Sequence, residues 1–163
     1  MVALNHSEMA VTLPSDTEIM LTRTFQAPRQ LVFAVHTTPE HIRKWWGCGG
    51  STMSVCEMDF RVGGAWHFVL QTPDGSEHPF NGIYQEIREP ERLAYTFIYD
   101  VEGIRDFPAL ETLTFEEHEG RTTLTAVIKH RTPEARDGHL QSGFKQGSAE
   151  SFNRLDEYLQ SLL

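Results

Sequence analysis

The segment 133–163 constrains this chain most. Phe144, Ser148, Phe152, Leu155, Leu159 and Leu162 recur there at spacings of three and four residues, which sets them on one stripe of a helix. Lys145, Gln146, Glu150, Asn153, Arg154, Glu157 and Gln160 fill the other side, so that side faces water. Thr132 reads as the N-cap, and Pro133 sits where a first helical turn accepts proline. One helix of this length needs a broad apolar surface to lie on. The region between Met53 and His130 reads as short strands able to supply it. The stripe is Leu-rich at its C-terminal end, but further back it runs Gly143, Gly147, Ser148, Ala149, Ser151. Helix and sheet can close on a solid core or clamp around a cavity, and those small side chains favour the cavity.

Composition narrows the functional classes. A chain of 163 residues is expected to be one domain. It is long enough to bury about 70% of its unfolded surface. The net charge of −9, with no cluster of Lys and Arg, argues against a nucleic-acid-binding face and against an anionic membrane surface. No apolar run approaches the roughly 20 residues of a membrane span. The start, MVALNHSEMA, lacks the basic and apolar segments of a signal peptide. Cys48 and Cys56 are the only cysteines and have neither a redox nor a zinc spacing. They are expected as reduced thiols in a cytoplasmic protein, with a disulfide between them the less favoured alternative.

Residues 1–16 show no period and are expected to form a loose tail, leaving 17–163 as the domain. The alternation of Ile19, Leu21 and Phe25 with Glu18, Thr22 and Thr24 predicts a first strand over 17–25. Pro28 opens a short helix through His36, and Thr38-Pro39-Glu40 opens a second that stops at Gly47. Five or six strands are then expected, over 53–61, 65–72, 79–87, 93–99, 110–116 and 122–129. The turns between them, Val62-Gly63-Gly64, Pro73-Asp74-Gly75-Ser76, Glu89-Pro90-Glu91 and His118-Glu119-Gly120, are short. Strands so joined must be antiparallel neighbours. Strands and helices segregated in this way indicate an α+β architecture.

The order and punctuation of these elements resemble a known family. The carrying residues are Arg23-Thr24-Phe25-Gln26-Ala27-Pro28 into Leu31-Val32-Phe33, then Thr38-Pro39-Glu40-His41 leading to Trp45-Trp46-Gly47. Arg61-Val62-Gly63-Gly64 with Trp66, Gly82-Ile83-Tyr84, and Glu89-Pro90-Glu91-Arg92-Leu93 follow. Phe115-Glu116-Glu117, Gly120 to Leu124, and Gly147 with Leu155 and Tyr158-Leu159 complete the set. Together they resemble the START/SRPBCC superfamily, whose fold is shared with the birch pollen allergen. Within it they are most similar to bacterial relatives of the C-terminal domain of the activator of the ninety-kilodalton heat-shock chaperone ATPase. The resemblance implies a helix-grip fold: a curved antiparallel β-sheet wrapped around a long C-terminal helix, with two short helices after strand one and an apolar cavity between. It implies no single activity, because members bind hydrophobic small molecules or regulate chaperones. Ser148 stands where relatives often carry a large aromatic, which should enlarge the cavity. Cys48 stands where a proline is common.

Trp66, Phe68, Tyr84, Tyr95 and Phe97 on strands, and Phe144 and Phe152 on the helix, are each explained as plain core. As a group they also suit the wall of a pocket, with tyrosine hydroxyls and Ser148 to orient a ligand. Of Trp45 and Trp46, one is expected as a core plug and the other near the cavity mouth. Phe107, in the loop 102–108, is a candidate gate, or an anchor for its own loop. The eight histidines, 6, 36, 41, 67, 78, 118, 130 and 139, have no compact ligand spacing, so no metal site is expected. His67 lies opposite Trp66 in the alternation and is expected on the outer face. Glu57, Asp59 and Arg61 read as a solvated strand face. Arg23, with Arg61 or Glu111, is a candidate for a buried polar pair. No motif calls for a cofactor or commits the chain to an enzyme.

The expected function is binding of a small hydrophobic or aromatic molecule between helix and sheet, without defined catalysis. An enzyme on the same cavity would need a titratable group inside, with His67, Glu57 or Asp59 as first suspects. A module that acts on a chaperone or forms a homodimer would need a large exposed apolar patch.

Overall fold

In the strand Glu18–Phe25 (β2), Ile19, Leu21, Arg23 and Phe25 are buried while the residues between them keep contact with water. The same two-residue period runs through the strand Arg121–Lys129 of the computed structural model, which describes residues 8–47 and 49–163. Ala10–Thr12 (β1) precedes β2. After it come the helices Arg29–Thr37 (α1) and Pro39–Trp45 (α2), then the strands Thr52–Met58 (β3) and Ala65–Gln71 (β4). Glu77–Arg88 (β5), Arg92–Tyr99 (β6), Ala109–His118 (β7) and Arg121–Lys129 (β8) complete the sheet. The strands form one antiparallel sheet in the order β1-β2-β8-β7-β6-β5-β4-β3, curved and unclosed. The C-terminal helix of 29 residues lies across its concave side. This is the expected α+β helix-grip arrangement.

Three local expectations are corrected. Ala10–Thr12 pairs with β2 as an edge strand, within the stretch read as a loose tail, because Val11 finds an apolar neighbour in Leu21. The strand expected over 53–61 ends at Met58, and Asp59 to Gly64 turn instead. The C-terminal helix is not straight. It runs as Pro133–His139 (α3), a wide turn at Leu140–Phe144, and Lys145–Ser161 (α4), because Gly143 takes the left-handed backbone (φ 85°) that breaks the helical ladder. Thr132 caps α3 as expected, its Oγ1 accepting from the Ala135 N–H at 3.1 Å. Leu162, read as the end of the buried stripe, lies past α4 and is 40% exposed. His6, Cys48 with its possible disulfide, and the segment 1–7 lie outside the described residues.

Glycine is required at two close backbone approaches, one in the turn before β4 and one within β5. A Cβ on Gly82 would lie 1.7 Å from the Thr96 carbonyl oxygen, and one on Gly64 would lie 2.0 Å from that of Asp59. Both distances are impossible, so a side chain at either place forces the backbone apart. A register shift between Tyr84 and Glu86 bends β5.

The apolar core falls into two clusters. The larger gathers Leu21, Phe25, Val32, Phe33, Leu113, Phe115, Leu124, Leu155 and Leu159 with the buried faces of α1, α2, β4 and β5. The smaller is Ile19, Ala109 and Ile128, with Leu140 and Phe144 of the helix against it. Leu155 and Leu159 are fully buried, each worth about 1.5–3 kcal/mol of transfer free energy. No helix among the described residues is long and apolar enough to cross a membrane.

Candidate functional site

Register fixes which side chains face the helix. Ile19, Ile128, Glu111, Tyr95 and Tyr84 form one row across β2, β8, β7, β6 and β5. Ile19, Ile128 and Tyr84 are buried on the concave face, so Glu111 and Tyr95 point there too. Phe97, Trp66, Phe68 and Phe80 belong to the same face on the neighbouring rows. Their rings pack closely. Trp66 lies 4.8 Å from Phe68, 5.7 Å from Tyr95 and 5.7 Å from Phe97, and Phe80 lies 5.5 Å from Phe97. Trp46, at the end of α2, closes over them with its ring 5.2 Å from both Phe68 and Phe80.

The floor is dense, but the roof is not. Phe144 packs on the Ile19–Ile128 cluster, and Phe152 meets Phe25 edge-on at 5.9 Å. Ser148 sits midway between them on the same helical stripe, one turn from each. The main backbone approach of α4 is to α2 and not to any strand. Tyr95, Phe97, Glu111, Phe144, Ser148 and Phe152 all keep part of their surface accessible. For Tyr95 and Glu111 this is informative, since both lie deep enough for desolvation to dominate their ionisation. Both side chains are therefore deep in the fold and partly accessible.

Glu111 is the buried titratable group of this part of the concave face. Burial pushes its carboxyl up to about 7, and a hydrogen bond from the Tyr95 hydroxyl only partly opposes that. Tyr95 is raised well above the usual phenol range, first by burial and then by the Glu111 charge. Tyr84, next along the row, is raised by burial.

The expected site residues divide. Trp46, Trp66, Phe68, Tyr84, Tyr95 and Phe97 are gathered on or over the concave floor, with Phe144, Ser148 and Phe152 on the helix above. Trp45 is not among them. Its indole N–H donates to the Val35 carbonyl at 2.9 Å and its ring packs on His36, which plugs the α1–α2 end. Phe107 is 51% exposed on its loop. The suspects for an interior proton carrier are all outside. His67 pairs with Glu57 at 3.3 Å on the outer face, and Asp59 pairs with Arg61 at 2.9 Å in an exposed turn. Arg23 does not take Arg61 or Glu111. It is 3% exposed, donates to Asn153 Oδ1 at 2.8 Å and lies 3.8 Å from Asp156, so its partners come from α4.

Glu111 and Phe80 were missed as lining residues. For Glu111 the signal was in the alternation: if Leu113 and Phe115 face inward, so must Glu111. Two open grooves lie elsewhere. One of about 400 Å³ runs over Thr17, Thr96, Leu110 and Lys129, and one of about 370 Å³ over Glu57, Asp59, Ala65 and His67. Their register places both mainly on the convex side. Among the described residues no three metal-ligating side chains come together.

The comparisons agree with this geometry. A solved structure from Rhodobacter sphaeroides superposes with a TM-score of 0.87 at 28% identity, over 94% of this chain and 99% of that one. One from Nitrosomonas europaea gives 0.81 at 27% identity, over 91% and 97%. One from Mycobacterium smegmatis gives 0.82 at 25%, over 93% and 97%. No curated protein matches the chain. The fold commonly serves to bind ligands or regulate chaperones. The family model described as Activator of Hsp90 ATPase homolog 1-like protein matches residues 26–160, and the chain belongs to that family.

Proposed function

We propose that this protein binds a small hydrophobic, ring-containing molecule in the hollow between α4 and the concave face of the sheet. One observation carries the reading. Between the two apolar clusters, small helix side chains stand over a floor of rings that is deep yet accessible. Apolar burial supplies the affinity, at about 25 cal/mol per Å² before ordering costs are met. The ring faces of Trp66, Phe97 and Tyr95 offer stacking, and the Tyr95 hydroxyl and Ser148 offer orientation.

Nile red, a neutral dye that brightens in apolar surroundings, tests this directly. Wild-type protein is expected to bind it, and Ser148→Trp is expected to weaken binding by about tenfold by filling the space under the helix. Dye that stays dark with the wild type, or binds the variant equally well, removes the proposal. Native mass spectrometry of freshly purified protein adds whether a guest is retained and how many chains assemble.

A further inference from the structure

Glu111 is an odd residue for an apolar hollow. It sits opposite Tyr95 in register, with Ile128 on its other side, and no basic side chain faces it. The neighbouring elements can be taken in turn. β6 offers Tyr95 and β5 offers Tyr84, both phenols. β8 and β2 offer Ile128 and Ile19. Arg23 lies further along β2 and is held by Asn153 and Asp156 of α4. The helical stripe above carries Phe144, Ser148 and Phe152. His139 packs on His130 and Phe144, at the rim of the smaller cluster. Among the described residues the carboxyl therefore has a hydrogen-bond donor but no counter-ion.

A carboxylate walled by aromatic faces is a receptor for a cation. Ring faces attract positive charge through their quadrupole, and a desolvated carboxylate gains most from a partner that brings its own. The net charge of −9 also draws cations toward the protein and disfavours anions. A guest that was only apolar would leave the Glu111 carboxyl desolvated without compensation. Building on the binding site proposed above, we propose that the hollow takes an aromatic or alicyclic molecule bearing a protonated amine, its nitrogen seated against Glu111 and Tyr95. The sign of the pH dependence follows. The empty site takes up a proton near neutrality, and an ammonium competes with that proton, so affinity rises with pH until the amine itself loses its charge.

Two probes of matched shape separate the alternatives: 2-naphthylmethylamine, cationic at neutral pH, and 2-naphthalenemethanol, its neutral counterpart. By isothermal titration calorimetry at about pH 8, the amine is expected to bind about tenfold or more tightly, as one charge-assisted hydrogen bond allows. Glu111→Gln is expected to abolish that preference while the alcohol still binds. The wild type alone supplies a second measurement. The ¹³C carboxyl resonance of Glu111 should titrate at lower pH once the amine is bound. Equal or tighter binding of the alcohol, or a Glu111 midpoint unmoved by the amine, overturns the amine proposal and leaves the apolar site standing. Failure of both probes to bind overturns the site as well.

Discussion

The two halves of the helix–sheet interface are built by opposite rules. At the rear, Leu155 and Leu159 meet Phe25, Phe33, Phe115 and Leu124, every one of them at most 1% exposed. At the front, Phe144, Ser148 and Phe152 of the helix and Phe97, Tyr95 and Glu111 of the sheet are every one of them partly accessible. The same helix and the same strands make both. What differs is side-chain volume along one helical stripe and one carboxyl on the sheet. The fully buried packing is thus concentrated at one end, and the partly accessible side chains at the other.

That contrast can be broken by mutation. Leu155→Ala at the rear should cost about 3–4 kcal/mol in urea unfolding, since a closed core cannot collapse onto the void. A cost under about 1 kcal/mol would mean that the rear is no better filled than the front. Acid offers a test of nearly equal size. His36 is buried with its Nδ1–H on the Val32 carbonyl at 2.7 Å, and burial holds its imidazole down to about 4. The unfolded chain therefore takes the proton first as pH falls. The stability present above about pH 6.5 is lost toward pH 4, by about 3 kcal/mol from this residue alone.

Glu111 works in the reverse direction. Its folded value of about 7 lies above the unfolded one, so it destabilises increasingly as pH rises from about 4.5 to 7. Glu111→Gln should then be the more stable form at pH 8, by about 2 kcal/mol after allowance for its accessible surface, and should match wild type near pH 4.5. The variant also exposes the His36 trend, which Glu111 partly offsets in the wild type. On the proposed hollow, Ser148→Trp should change stability by less than about 1 kcal/mol while blocking dye. A loss above about 2 kcal/mol would show that the front is already full. A comparably small effect is expected at the junction: Gly143→Ala forces a side chain into the left-handed region and should cost about 1 kcal/mol by thermal unfolding.

The architecture was legible in the sequence because it rests on periodicity, and periodicity is local. Strands alternate, the last helix repeats at three and four, and glycine and proline mark the turns between. The cap at Thr132 could be read for the same reason. The site was legible only as a set of aromatic residues. Trp45 and Trp46 are adjacent, and which one turns inward depends on the exit from α2, which a list of residues does not contain. Arg23 found its partners 130 and 133 positions away on α4, beyond any local pattern. Glu111 was legible in principle, by extending the alternation from Phe115 and Leu113 one step back. A charged side chain at an inward position is rare enough that the pattern reads as polar-out there. The helix kink was hidden because Gly143 reads as one more small residue of the stripe, and its left-handed backbone leaves no mark in the spacing.

The close backbone approaches at Gly64 and Gly82 carry a practical lesson for anyone who would redesign this fold. Backbone oxygens stand where a methyl group would have to go, so those two sites admit no diversity and the curved platform is effectively immutable. The roof is under no such restriction. A library confined to the inward stripe of α4, at Ser148 and its neighbours, could reshape the helix–sheet interface from above, much as one changes a mould's lid while keeping its base.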